Sequence, residues 1–447
     1  MTLTEKFFDK VGTIMRNPDL KERIVFTLLM FLVARVGTYI PAPGVDVGRL
    51  EEMTATSDIL GYINMFTGGA FKRVSIFSLG IAPYINASIV FSLLAVIIPR
   101  IEEIQKEGEA GRNRIANWTR YLTIVIAVVQ SFATCAWLES VGLVTGRSGV
   151  SFFLTTIVTM TAGTTFLMWV GEQISVYGIG NGVSLLIFLN CISGGPGNFI
   201  QVIQSMKDSK FLVPVLCAIA ISGIVVVMGI VVFQLGQRKI PVHYVGKEYG
   251  RKGGVGDKSY IPLRLNSAGV MPVIFASVAM IVVSAMSRIF PRFVELAFKL
   301  IYRADVAAKA DLINKINVWT QRLLAPNGVG YMVIFALVII FFSFFYTAII
   351  FDPEKVAENL KQSGGTIPGI RPGSETVEYL EGVVSRITWG GALFLAAIAI
   401  LPVVIFTALG FPVFFGGTGI LIVVGVAIDT VQQINAHLVM RDYKGFI

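Results

Sequence analysis

The side chains able to do covalent, acid–base or metal chemistry are few in this chain. Histidine occurs at His243 and His437, and cysteine at Cys135, Cys191 and Cys217. All three cysteines fall within apolar stretches, where a thiol packs as a small hydrophobe, so neither a disulfide framework nor a metal site is expected. No nucleophile stands in a pattern with a base, which argues against an enzyme. Gly178, Gly180 and Gly182 have the outward form of a dinucleotide fingerprint, but no strand precedes them. No phosphate-binding loop ending in Gly-Lys-Ser or Gly-Lys-Thr occurs either. No cofactor is expected, and any transport this chain supports must draw its energy from elsewhere. What remains is isolated charge: Arg35 and Asp429 lie inside apolar segments. Each costs roughly 2.5–3.5 kcal/mol at a helix centre, so both must face protein or water. A proton-coupled transporter would show several acidic residues at that depth, whereas Asp429 stands almost alone.

The elements that hold these residues follow from composition. Hydrophobic residues make up 54% of the chain and charged residues 15%, more apolar surface than a soluble core can hide. Runs of roughly 17–25 apolar residues are needed to cross about 30 Å of hydrocarbon. Such runs lie near 24–40, 76–98, 119–138, 152–171, 183–195, 212–234, 268–287, 329–351, 387–408 and 417–436, predicting ten transmembrane helices. The fifth is short and extends backward through Asn181 and Gly182. The first does not read as a removable signal peptide: it is long, begins late and leads into Pro41, Pro43 and Gly44 without a small-residue cleavage pattern. The mature chain is therefore expected to start at Met1.

Orientation follows from basic residues in short loops, which stay in the cytoplasm. Lys6, Lys10, Arg16, Lys21 and Arg23 in the amino-terminal tail mark one face, as do Arg100, Lys106, Arg112, Arg114 and Arg120 after the second segment. Arg238, Lys239, Lys247, Arg251, Lys252, Lys258 and Arg264 follow the sixth segment on the same side. That face reads as cytoplasmic, with both termini on it. The stretch 288–328 disagrees, being external in this scheme yet rich in Arg and Lys.

Cutting near residue 205 leaves five segments in 1–205 and five in 206–447. An odd number per half forces opposite entry into the membrane, the arithmetic of an inverted repeat with the substrate path between the halves. Residues 59–73, with Met65, Phe66, Gly68 and Gly69, are apolar but too short to cross, and read as a re-entrant half-helix. Backbone of that kind is tolerated at membrane depth only against protein or a water-filled cavity. An ordinary external loop helix is the alternative from pattern alone.

Two cytoplasmic loops, 235–266 and 352–386, are too long to be simple connections. In the first, Lys239 to Val245 and Ser259 to Leu265 show partial alternation around a glycine-rich middle, which predicts a protruding hairpin with a basic tip. In the second, Asp352 caps a helix that opens with Pro353. Ser363, Gly364 and Gly365 stop it, and Ser374 caps another that runs into the ninth segment. Between them, Pro368, Gly369, Ile370, Arg371, Pro372 and Gly373 form a tight turn presenting one guanidinium. A solvated loop charge is an equal reading of Arg371.

Five motifs then carry a specific resemblance. They are Ile81-Ala82-Pro83-Tyr84-Ile85, Lys106-Glu107-Gly108-Glu109, Gly171-Glu172-Gln173-Ile174 with Gly178 to Gly182, Pro368 to Gly373, and Phe415-Gly416-Gly417-Thr418. In this order and spacing, from about residue 22 to 440, the chain resembles the SecY family, the channel-forming subunits of the general protein translocase. The resemblance implies an all-α integral membrane protein of the bacterial cytoplasmic membrane, its ten helices in two inverted halves. It implies an hourglass channel closed by a ring of aliphatic side chains, at positions matching Ile81, Ile85, Val183, Ile187, Ile274 and Ile422. Such a constriction excludes water by dewetting and offers a passing chain nothing to bind. Val183 stands where isoleucine is usual.

The same resemblance makes 59–73 the plug. It also implies a lateral gate, formed by segments two and three against seven and eight, with Ser92, Gln130 and Asn266 as polar residues at the seam. A nascent helix leaves through that seam into lipid, driven by about 25 cal/mol per Å² of its apolar surface. Arg251, Lys252 and Arg371 fall where the family binds the SecA motor ATPase and the ribosome. Lys252 stands where arginine is common. SecE and SecG are the implied small partner subunits, and a secretory precursor with its signal sequence the implied cargo. A secondary transporter of a small solute, built on inverted repeats, is the alternative. A membrane scaffold for ribosomes is a third reading.

Overall fold

Each of the ten expected apolar segments contains helix in the computed structural model, which describes residues 17–50, 64, 67–144, 149–205, 212–244, 260–280, 283, 318, 328–408 and 417–444. Helix α1 (Pro18–Gly37) opens on a proline, whose missing N–H costs nothing in a first turn. Its last residue must be small, because a Cβ on Gly37 would lie 2.0 Å from the Phe77 ring. Helix α2 (Ala82–Ile97) and α3 (Pro99–Lys106) meet at a bend of 103°. Ile98 is extended there, as the residue before a proline prefers, so the helix cannot continue. Then follow α4 (Glu109–Ser140), α5 (Val150–Tyr177), α6 (Gly182–Ser205) and α7 (Leu212–Leu235).

Beyond α7 come β1 (Gln237–Pro241), β2 (His243–Tyr244) and β3 (Tyr260–Arg264), then the apolar helix α8 (Met271–Met280). The chain continues with α9 (Val329–Ile350), α10 (Pro353–Gln362), β4 (Gly365–Thr366), α11 (Ser374–Ala408) and α12 (Gly417–Lys444). Among the described residues, five stretches are long and apolar enough to cross a bilayer by themselves: Glu109–Ser140, Val150–Tyr177, Val329–Gln362, Ser374–Ile405 and Thr418–Leu438. The bent pair α2 and α3 makes a sixth. Shorter apolar helices, Gly182–Gly195, Ala220–Leu235 and Met271–Met280, occupy three further expected segments. The chain is a multi-pass helical membrane protein.

The chain forms two compact units, one of residues 1–215 with 406–447, the other of 216–405. In the first, α1 packs on α5 and α6, α4 lies between α2 and α5, and α12 joins the set by packing on α6. A core of Ala42, Leu50, Val74, Leu138, Leu143 and Met160 closes one end. In the second, Phe233 of α7 stacks on Phe394 of α11 at 4.2 Å, and Phe275 of α8 meets Phe342 and Tyr346 of α9 edge-on.

Two expectations need correction. Of the half-helix expected over 59–73, residues 67–73 are consecutive turns, with Gly68 and Gly69 at φ of 62° and 90°. Positive φ at successive residues is incompatible with a right-handed helix. Asn64 is helical, and the remainder, including Met65 and Phe66, lies outside the described residues. The turns continue to Ile81, so the second segment becomes helical at Ala82. Ser374 is also not a cap: the helix begins with it, and Gly373 O accepts the N–H groups of Thr376 and Val377. Gly373 takes the capping position because its φ of 121° suits glycine.

Candidate functional site

Ile81 immediately precedes α2 and Ile85 lies one turn into it, while α6 carries Val183 and Ile187 and α12 carries Ile422. These five belong to the first unit and Ile274, on α8, to the second. Ile81, Ile85, Ile187, Ile274 and Ile422 are each at most 6% exposed, whereas Leu32 and Val232, on outward helix faces, are 62% and 71% exposed. Val183 is half-buried. Five of the six aliphatic positions are therefore buried, unlike residues on exposed helix faces.

The start of α6 is fixed by a turn that α1 holds. Arg23 Nη1 donates to Gly178 O at 3.2 Å, and the Ile179 N–H donates to Thr27 Oγ1 at 3.2 Å. Thr27 Oγ1 donates in turn to Arg23 O, so one hydroxyl serves both helix and turn. Within the turn, the Gly182 N–H donates to Ser175 Oγ, and Asn181 Oδ1 accepts from the Ser184 N–H. Arg120 of α4 pairs with Glu172 of α5 at 2.6 Å and also donates to Asn117. Neither this ion pair nor the Thr27 contact was singled out from the sequence. Arg120 reads from sequence as one of a run of loop charges, and its partner is 52 positions away.

Residues 67–81 run without helix yet are packed within the first unit. Ala70, Val74, Ser75, Phe77, Ser78 and Ile81 are all buried. Such backbone needs internal partners, and it has them. The Ala42 N–H donates to Val74 O at 2.7 Å, and the Ile76 N–H donates to Ile40 O at 3.0 Å. Arg35 Nη1 donates to Gly68 O at 2.9 Å, which meets the expectation that a charge in this helix faces protein. Arg73 stacks over Tyr39 at 4.3 Å. A narrow void bordered by Thr38, Thr67, Ile81 and Asn190 has room for about one water. Asp429, the other expected intramembrane charge, is half-buried on α12.

Of the seam residues, Ser92 on α2 and Gln130 on α4 are half-buried in the first unit. Asn266, in the second unit, uses its side-chain amide locally, donating to Gly269 O at 2.8 Å.

The two long loops build one platform in the second unit. Strands β1 and β3 pair antiparallel, Gln237 opposite Arg264 and Pro241 opposite Tyr260, as the alternation predicted. Strands β2 and β4 join the loops, His243 opposite Thr366. Beneath them Ile240, Leu263, Ile367, Leu380 and Val383 form a shared apolar core. Asp352 caps α10 as expected, accepting from the Lys355 N–H, and the Lys355 side chain together with that N–H holds its carboxyl below the ordinary aspartate range. Lys239 lies over the Tyr260 ring at 4.6 Å. Arg371 is held by its backbone: its N–H donates to Glu375 Oε2 and its carbonyl accepts from Thr376 Oγ1. Its side chain is 88% exposed, 4.0 Å from Glu375. Arg251 and Lys252 lie outside the described residues, as does nearly all of 288–328.

No group of three or more potential metal ligands occurs among the described residues. The first unit holds buried aliphatic positions and a buried non-helical segment, and the second holds Ile274 and a platform that exposes Arg371.

Comparison with known proteins gives one consistent relationship. A sequence model of the SecY family matches residues 75–431. The protein translocase subunit SecY of Streptomyces scabiei is 39% identical over 450 residues, covering 97% of this chain and 98% of its own. That of Aquifex aeolicus is 37% identical over 437 residues, covering 96% and 97%. Among solved structures, a protein-conducting channel superposes with a TM-score of 0.59 at 17% identity, covering 93% of this chain and 92% of its own. Sec61 in a canine ribosome–channel complex gives 0.55 at 16% identity, with the same coverages. At these identities the structural likeness speaks to the fold.

Proposed function

This chain belongs to the SecY family, and on that premise we propose that it is a protein-conducting channel, not an enzyme, passing unfolded secretory polypeptides across the membrane and releasing hydrophobic segments sideways into lipid. The observation that carries the reading is the pairing of buried aliphatics on α2, α6 and α12 with a buried, non-helical segment that ends at one of them, Ile81. A solute transporter needs convergent polar groups at its binding site. Here the positions that the resemblance assigns to the constriction are aliphatic, which supports a seal.

In this reading Ile81, Ile85, Val183, Ile187, Ile274 and Ile422 form the constriction. Met65, Phe66, Gly68 and Gly69 belong to the plug, and Ser92, Gln130 and Asn266 lie along the lateral exit. The halves 1–205 and 206–447 are inverted repeats, a relation of symmetry that need not coincide with compact packing units. Arg251, Lys252 and Arg371 meet cytoplasmic partners: the ribosome, with which two of the structural neighbours are complexed, and the SecA motor. SecE and SecG are the expected small subunits, the bacterial cytoplasmic membrane the location, and the cytoplasm the side of both termini. The exposed guanidinium of Arg371 suits such docking, since arginine pairs bidentately with carboxylate or phosphate.

The test is reconstitution of the chain with its small subunits and a motor ATPase, followed by an unfolded secretory precursor. Protease protection of the precursor is the expected result. Small-solute uptake without precursor transit would overturn the reading.

A further inference from the structure

The non-helical segment 67–81 is attached to its surroundings in two different ways. From Val74 onward it is fixed by backbone and by shape. Val74 O and the Ile76 N–H bond the chain beyond α1 at Ala42 and Ile40, Pro41 bridges Ser75, and the Phe77 ring fills the space a side chain on Gly37 would take. Before Val74, Ala70 O accepts from the Ser75 N–H and Ser78 Oγ of that anchored part, and side chains tie the segment to other elements. Arg35 of α1 donates to Gly68 O, Arg73 stacks on Tyr39, and the Phe71 and Trp137 rings stack at 6.0 Å. Arg35 differs from the others in being a charge in the last turn of α1, inside an apolar run, where an ionisable residue is by default a functional candidate.

The seat that receives Gly68 is shaped for a glycine. Its φ is +62°, and a Cβ there would lie 2.7 Å from Asn190 Oδ1 and 3.0 Å from both Arg35 Nη1 and Asn190 Cα. The segment is thus lodged between α1 and α6, the helix that carries Val183 and Ile187. Between the two kinds of attachment stands Val74 at φ +42°, a left-handed conformation that a β-branched residue rarely adopts. Gly69, at φ +90°, would meet nothing within 4 Å. Ala70 is held with the anchored part, so the end that a tie to α1 and α6 can secure is the one ahead of it, where Gly68 and Gly69 lie.

We propose that Arg35 is a positioning residue for channel closure: its bond to Gly68 O latches the start of 67–81 between α1 and α6, and its loss loosens that end while 74–81 stay anchored. The inference rests on the channel reading, and the latch acts on the segment, not on the passing polypeptide. Arginine suits the task because a charge-assisted bond to a carbonyl is stronger than a neutral one.

The test reads position and conductance separately. Cys135 and Cys191 are buried and Cys217 is exposed, so Thr67→Cys in a Cys217→Ser background gives a reporter thiol in the segment. In the reconstituted complex, Arg35→Met is expected to raise the labelling rate of that thiol by about tenfold or more, the factor a charge-assisted hydrogen bond supports. Arg35→Lys keeps a donor and is expected to return labelling most of the way to the parent rate. Gly68→Ala crowds the same seat without removing the charge and should also raise labelling. Thus failure of Arg35→Met to accumulate does not remove the test. Labelling unchanged in Arg35→Met, or in Gly68→Ala where only that variant accumulates, overturns the latch. Resting ion conductance is measured alongside, with Ile85→Gly/Ile187→Gly as the control. A leak in the control with unchanged labelling sinks the latch alone, whereas faster labelling without any leak supports the latch and counts against the channel reading.

Discussion

One missing methyl group sets how closely α5 and α6 approach. A Cβ on Gly182 would sit 1.9 Å from Gly171 O, a backbone atom that cannot rotate away. Gly182→Ala must therefore push the start of α6 outward, at a cost of about 1–3 kcal/mol for an overpacked interior. We expect a lower thermal unfolding midpoint in detergent for this variant. Gly223→Ala, at a position with nothing within 4 Å of the added carbon, should leave the midpoint in place or raise it, since alanine favours helix. Equal midpoints for the two variants would contradict the packing argument. At this scale the sequence was partly readable. Arg35 stood out because a charge in an apolar run is costly wherever it lies. Thr27 did not, because a threonine in a membrane helix usually bonds its own helix, and the Ile179 N–H that it also serves is 152 positions away.

Helix caps and strand alternation are local, so the elements they govern were legible: Asp352 caps α10, and β1 pairs with β3 where the alternation placed a hairpin. The ladder between β2 and β4 was not, since two residues per strand carry no periodicity and the partners are 123 positions apart. The cap makes an element-scale prediction. Asp352 has a carboxyl pKa lowered by the side chain and N–H of Lys355, so the carboxylate favours the folded platform. Its contribution is complete above the pKa of an unfolded aspartate and is lost as the pH falls through the lower folded-state value. Asp352→Ala should destabilise α10 by about 0.5–2 kcal/mol at neutral pH. Hydrogen exchange over 353–362 should quicken accordingly, and the difference from the parent should disappear at acid pH. A difference that persisted undiminished in acid would show that the cap does not act through its ionised form.

For the molecule as a whole, hydropathy located the apolar segments, each of which contains helix, because a bilayer imposes one length on every crossing. It could not select the constriction, since one isoleucine among many in a membrane helix has nothing to distinguish it. Ile85 and Ile187 became candidates through the family resemblance, and the structure adds that both are buried, at 6% and 4% exposure. Burial alone would also suit two ordinary packing residues, and conductance separates the cases. If the pair seals a pore, Ile85→Gly/Ile187→Gly removes the apolar lining on which dewetting depends and admits water and ions without a polypeptide present. If the pair only packs, the cavity left behind costs about 2–5 kcal/mol for each truncation, as for large-to-alanine changes in a core, and leaves the membrane tight. The expected outcome is a raised resting conductance in planar bilayers at normal protein abundance. A less stable variant with the parent's conductance would remove these residues from the seal and leave them as core.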